Sequence, residues 1–192
     1  MSSSLKEEKI SGDIVYEGYL LKIHKDKVKL PNGKVSVREY IHHPGAVVVL
    51  PFLENGNVIL EKQYRYPANQ VFIECPAGKI DPGESLEETA HRELLEETGY
   101  TCKTLSYLGK VHPGIGYTDE VIYLYEGFGL THQTVNRDDD EFLEIFQVPF
   151  KEAYQMVLSG EITDAKSMVA ILLSWERKKS REDEKDKDKR KE

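Results

Sequence analysis

The sequence predicts an α/β fold in which mixed strands and a few helices pack in layers. Three observations carry this. Strand-like runs fill the first 75 residues and return between 105 and 148; one capped helix separates the two sets; two further helices close the chain. Residues 12–30 alternate loosely and read as strands. Pro31-Asn32-Gly33 is a turn, and the strand pattern resumes from Val35 to Ile41. Ala46 to Leu50 is a continuous apolar run, the pattern of a strand buried on both faces. Asn55-Gly56 is a hairpin turn signal leading to a strand over Asn57 to Gln63, and Val71 to Glu74 is a short strand. Leu105 to Val111, Glu120 to Gly127 and Leu143 to Val148 complete the strands, the second rich in Val, Ile and Tyr.

The helix between the strand sets spans the segment Gly78 to Tyr100, GKIDPGESLEETAHRELLEETGY. Ser85 and Glu88 form a capping box at its start. Gly99 stands where a left-handed residue ends a helix. Its last two turns carry Glu93, Glu96 and Glu97, although the helix dipole disfavours acids at that end. At about 100° per residue, Glu93 and Glu97 share the arc of Leu86 and Ala90, which faces inward. Acids on a core face need a cation or must take up protons. Arg92 is the one Lys or Arg within this helix, and the wheel points it elsewhere. A divalent metal held by carboxylate oxygens is then the simplest counter-charge. Glu84, Glu87 and Glu88 read as solvated acids on the same evidence of position.

The closing helices run from about Pro149 to Leu158 and from Thr163 or Asp164 to about Arg177. Met168, Ile171, Leu172 and Trp175 recur at helical spacing and read as core packing. The expected organisation is a flexible N-terminus over 1–10, one domain over 11–177, and a charged tail over 178–192 that is a frayed helix or disordered.

Formal net charge is −8. Arg177 to Glu192 carries +3, which leaves −11 on the rest and argues against nucleic acid as a partner. No apolar run is long enough to span a membrane, and MSSSLKEEKI has no signal-peptide core. Cys75 and Cys102 make no disulfide framework, so a cytoplasmic setting is expected, with Cys75 a small buried residue. No EF-hand spacing is present, which weakens a simple calcium-binding reading.

Gly78, Glu84, Arg92, Glu93, Glu96, Glu97 and Gly99, with Leu94 and Tyr100 at the bulky apolar positions, reproduce G-x5-E-x7-R-E-U-x-E-E-x-G-U. This pattern resembles the Nudix box of the Nudix hydrolases. REYIHHPGAVVVLP, ILEKQYRYP, IECPAGKID and GEITDAKSMVAILL are similar to segments of the ADP-ribose pyrophosphatase branch and its nucleotide-sugar hydrolase relatives. The resemblance covers roughly residues 10–177. It implies an α/β/α sandwich around a mixed sheet, with an N-terminal antiparallel strand region over about 11–43 that serves a homodimer. It implies Mg²⁺-dependent hydrolysis, with Mn²⁺ as a substitute, of the diphosphate bond of a nucleoside diphosphate sugar. The products are a nucleoside monophosphate and a sugar phosphate.

Carried over by position, Glu93, Glu97 and the Ala77 carbonyl are metal ligands, and Glu96 is a further ligand or a holder of bridging water. Glu84 orients Arg92 or reaches metal through water. Arg65 faces the substrate's phosphates, and Arg38 is a second candidate of that kind. Glu74, an acid in an apolar strand, binds substrate or braces the box helix. Glu141, with Asp139 second, stands at the place of the branch's general base. Glu120 is the acidic position of the loop beginning His112-Pro113-Gly114. Pro113 comes about two residues earlier than the ADP-ribose pyrophosphatase pattern places it, which leaves GDP-mannose or another nucleotide sugar as open as ADP-ribose. Tyr16 and Tyr19 are candidates to stack on the nucleobase. The alternative class is a catalytically silent nucleotide-sugar sensor, but such domains typically lose box carboxylates that this chain keeps.

Overall fold

The computed structural model describes residues 5–133 and 142–189. The chain forms two compact units, one from residues 1–45 with 112–121 and the other from 46–111 with 122–192.

The first unit is an antiparallel three-stranded sheet in the order β1 (Glu8–Glu17), β2 (Lys22–Lys29), β3 (Val35–His42). The Pro31–Gly33 turn joins the last two, with Gly33 at φ 82°, a left-handed conformation that glycine adopts without strain. The first strand begins at Glu8, inside the stretch that the sequence assigns to a flexible N-terminus. The residues of β1 are exposed, and Ile10, Ile14, Tyr16, Val35 and Val37 present apolar surface. The 112–121 segment adds to β3 through the Ile41 N–H, which donates to the Tyr117 carbonyl at 2.8 Å.

The second unit is built on a mixed four-stranded sheet, β7 (Ala77–Lys79), β4 (Ala46–Pro51), β9 (Ile122–His132) and β8 (Tyr100–Val111) in that order. The central pair β4 and β9 is parallel, and the outer pairs are antiparallel. A second, antiparallel sheet has the order β10 (Leu143–Pro149), β5 (Asn57–Arg65), β6 (Gln70–Glu74). Helix α1 (Leu86–Thr98) covers one face of the mixed sheet, and α3 (Ala165–Lys189) covers the other, with α2 (Phe150–Ser159) beside α3.

Strand alternation explains the two layers. Val47 and Val49 pack with Ala90, Leu94, Cys102 and Tyr125 beneath α1. Ala46, Val48 and Leu50 pack with Leu124, Phe150, Ala170 and Ile171 on the opposite side. The whole of β4 is buried, as its uninterrupted apolar run requires. Met168, Leu172 and Trp175 pack against that second core, as the helical spacing predicts. The last helix continues past Arg177 to Lys189, so the start of the charged tail is helical.

The strands that flank the box helix differ from expectation. Residues 77–79 form a strand that three residues are too few to signal, and it exists because β4 supplies its hydrogen-bond partners. Strand β8 starts at Tyr100, directly after the Gly99 turn (φ 75°), five residues earlier than its alternating pattern suggests.

Candidate active site

The box helix is delimited as its sequence demands. Ser85 Oγ accepts from the Glu88 N–H at 3.2 Å, and the Glu88 carboxylate accepts from the Ser85 N–H at 2.8 Å. The inward arc is also as read. Glu97 is 5 % exposed and lies beside fully buried Ala90 and Leu94, whereas Glu96 faces outward.

Arg92 corrects the wheel argument. Its long side chain turns back onto the acids, and its Nη1 bridges Glu93 at 2.8 Å and Glu96 at 3.1 Å. Its Nε and Nη2 clamp both oxygens of Glu84 at 2.8 and 2.9 Å. A helical wheel places a Cβ, but a guanidinium reaches several ångströms from it. These bonds from Arg92 hold the Glu84 carboxyl down at about 2, and the acids in turn raise the guanidinium's own proton affinity. One cation thus serves three carboxylates, with Asp81 3.8 Å away as a fourth acid.

The strand end before the box is tied down residue by residue. Glu74 is buried and accepts two bonds from Arg65, Nε to Oε1 and Nη2 to Oε2, both at 2.8 Å. Lys166 adds a third to Oε2. The Cys75 N–H donates to Ser167 Oγ at 2.7 Å, the Pro76 carbonyl accepts from the Val49 N–H at 3.0 Å, and the Ala77 N–H donates to Glu97 Oε2 at 2.8 Å. Burial pushes the Glu74 carboxyl up, but the bonds from Arg65 and Lys166 outweigh it and hold it below the usual range. Burial above all raises the Cys75 thiol to about 12, so it is an unreactive core residue.

A Cβ at Gly78 would displace the Glu93 carboxylate, which lies over it. That contact places Glu93 against the β7 backbone, one residue from the Ala77 carbonyl. All the donors here, Glu93, Glu96, Glu97 and the Ala77 carbonyl, are oxygens, the set that hard divalent cations take. The excess of carboxylate over Arg92 fits such a cation. Among the described residues, no three His, Cys, Asp or Glu side chains already form a metal cage.

Tyr16, Arg38 and Glu120 belong to the first unit. Tyr16 is half-exposed, Arg38 pairs with Glu7 through Nε at 2.9 Å, and Glu120 lies 3.6 Å from His43 Nδ1. Glu141 and Asp139 lie outside the described residues.

Sequence reasoning missed Glu61, Lys166 and Ser167. Glu61 is 1 % exposed and sits directly opposite Glu74 in the β5–β6 register. Its signal was available: like Glu74, it is an acid inside an apolar run, ILEKQY. Lys166 and Ser167 had no signal beyond following the helix cap. Asp164 is that cap, accepting from the Ser167 N–H at 3.0 Å.

The NUDIX domain family matches residues 42–170, and the chain belongs to that family. It is 39 % identical over 170 residues to an ADP-ribose pyrophosphatase of Bacillus subtilis (strain 168), covering 88 % of this chain and 92 % of the relative. It is 31 % identical over 182 residues to a GDP-mannose pyrophosphatase of Yersinia enterocolitica, covering 88 % and 94 % of the two chains. Among solved structures it resembles one titled "Crystal structure of ADP compounds hydrolase", with a TM-score of 0.83, 24 % identity, and coverage of 94 % of this chain and 98 % of that one. The last likeness concerns the fold, a Nudix α/β/α sandwich.

Proposed function

We propose that this chain is a Nudix pyrophosphatase that hydrolyses the diphosphate bond of a nucleoside diphosphate sugar, releasing a nucleoside monophosphate and a sugar phosphate. The observation that carries the reading is the complete set of box carboxylates, Glu84, Glu93, Glu96 and Glu97, with α1 bringing Glu93 and Glu97 against the Ala77–Gly78 strand. Relatives named ADP-ribose and GDP-mannose pyrophosphatase, matched over nearly their whole length, support the substrate class.

Glu93, Glu97 and the Ala77 carbonyl hold the metal, with Glu96 beside them, and Mg²⁺ is the ion their oxygens suit, with Mn²⁺ as a substitute. A bound divalent cation supplies neutralisation of the diphosphate and a lowered pKa for an attacking water. Glu84 holds Arg92 in place, and Arg92 holds Glu93 and Glu96. Arg65, whose side chain is 43 % exposed, presents a cation to the substrate's phosphates. Its charge also feels Glu61 and Glu97, after Glu74. Glu141 or Asp139 serves as general base, and Tyr16, Arg38 and Glu120 contribute to substrate binding. The exposed apolar residues of the first unit's sheet suit burial in a homodimer. No helix among the described residues is long and apolar enough to cross a membrane, and a cytoplasmic location accords with the free cysteines.

The test is a Mg²⁺-supplemented panel of ADP-ribose, GDP-mannose, ADP-glucose, UDP-glucose and a nucleoside triphosphate, with products resolved by chromatography. Cleavage of the sugars to monophosphate and sugar phosphate is the expected result, and the ranking names the pocket. Silence from folded, metal-loaded protein would overturn the proposal in favour of a sensor.

A further inference from the structure

The cluster around Glu74 poses a problem for any role of Arg65 in binding. Arg65 has both arms on Glu74, yet a cation that binds phosphate must present those same N–H groups to the substrate. Glu74's side chain is only 3 % exposed. Withdrawing its counter-ion would leave a buried carboxylate uncompensated, which is strongly unfavourable.

We infer that Lys166 is the positioning residue that frees Arg65 for the substrate, by holding Glu74 as a second, buried counter-ion. Lys166 Nζ already bonds Glu74 Oε2, and its side chain is 14 % exposed against 43 % for Arg65. The buried cation stays while the exposed one moves. Lys166 is itself shared with Asp164, whose Oδ2 lies 2.9 Å from Nζ and also accepts from Ser167 Oγ at 2.6 Å. With Arg65 docked, two cations, Arg65 and Lys166, face Glu74 and Asp164, with Glu61 buried opposite Glu74 as a further acid. When Arg65 turns to a diphosphate, Lys166 remains between two carboxylates, and the anionic substrate completes Arg65's own pairing. The inference rests on the proposed role of Arg65 in binding.

This geometry sets effects of opposite sign. Lys166→Met makes Arg65 the sole counter-ion of Glu74, so KM for the preferred nucleotide sugar rises about tenfold or more while kcat changes less. Asp164→Asn gives Lys166 wholly to Glu74 and keeps an oxygen for Ser167, so KM falls. Adding Glu74→Gln to Lys166→Met removes the buried charge and brings KM back down. The experiment measures KM and kcat for wild type, Arg65→Ala, Lys166→Met, Asp164→Asn and the double variant. Melting temperature, and calorimetric binding of the same sugar nucleotide in EDTA, accompany them.

Raised KM in Arg65→Ala and Lys166→Met, with lowered KM in Asp164→Asn, supports the inference. Raised KM in Arg65→Ala with wild-type KM in Lys166→Met overturns it and leaves the role of Arg65 standing. So does a rise in both Lys166→Met and Asp164→Asn that tracks lost melting temperature, or no rescue by Glu74→Gln. Wild-type KM in Arg65→Ala overturns the role of Arg65 and the inference together. If Lys166→Met does not fold, the fall in KM of Asp164→Asn decides alone.

Discussion

Around Arg92, a single guanidinium serves Glu84, Glu93 and Glu96, and the cluster is left with more negative than positive charge. Around Glu74, two cations bond one buried acid, Lys166 also bonds Asp164, and Glu61 is buried opposite as a further carboxylate, so the charges come much closer to cancelling. The clusters border the same stretch of chain, since Ala77 bonds Glu97 of one while Cys75 bonds Ser167 of the other. The difference is instructive. A buried cluster near charge balance holds its geometry by itself, because its cations and acids bond one another. An acidic cluster at the rim is incomplete in charge and so has capacity for a cation from outside. Charge balance, more than carboxylate count, separates the scaffold of this site from its chemistry.

The contrast breaks most visibly at Glu97. Glu97→Gln keeps an oxygen for the Ala77 N–H but removes the charge. Turnover should fall by at least about 100-fold, the scale of losing one preorganised electrostatic group. The apo fold should be intact or slightly more stable, since Glu93 and Glu97 repel as an i,i+4 pair. Metal-saturated assays together with melts in EDTA check this. A large loss of melting temperature without metal would move Glu97 to the structural cluster.

Loss of the proposed general base sharpens the comparison next. Glu141→Gln should lower kcat by roughly 100-fold with KM little changed, as loss of a general base does. Unchanged steady-state turnover would remove Glu141 from the mechanism.

On the balanced side, Ser167→Ala should act on stability first. It leaves the buried Cys75 N–H without its acceptor, at a cost of about 1–3 kcal/mol. Urea unfolding monitored by circular dichroism measures it, and an unchanged midpoint would mean that α3 does not anchor this turn.

The smallest effect is in pH dependence. Glu84 has a folded pKa of about 2 against 4.5 for the free group. The unfolded chain therefore binds this proton first as pH falls. The stability from the Arg92 pair is full above pH 4.5 and is lost as pH drops towards 2. Arg92→Ala should flatten this part of the acid limb in melting curves taken across that window. An acid limb identical to wild type would show that the pair does not govern it.

Much of this was legible in the chain itself. The capping box, the Gly99 terminus, the buried run of β4 and the inward arc of Glu93 and Glu97 are local or periodic features, and hydrogen-bond geometry and burial fix them over a few residues. The box spacing likewise located the acidic row, because i, i+3 and i+4 positions share one helix face. Glu84 as the partner of Arg92 was one of the two roles that the family resemblance implied for it.

What tertiary structure alone decided lies between segments distant in sequence. Strand β7 exists only because β4 pairs with it. Lys166 meets Glu74 across 92 residues, and Ser167 meets Cys75 across the same span. The path of Arg92 depended on its side chain, whose reach a wheel does not record. Sequence by itself determined which residue types occur and which face of its own element each occupies. The fold decided which of those faces meet, and a buried charge takes its meaning from that meeting, because its energy depends on the partner within hydrogen-bond reach.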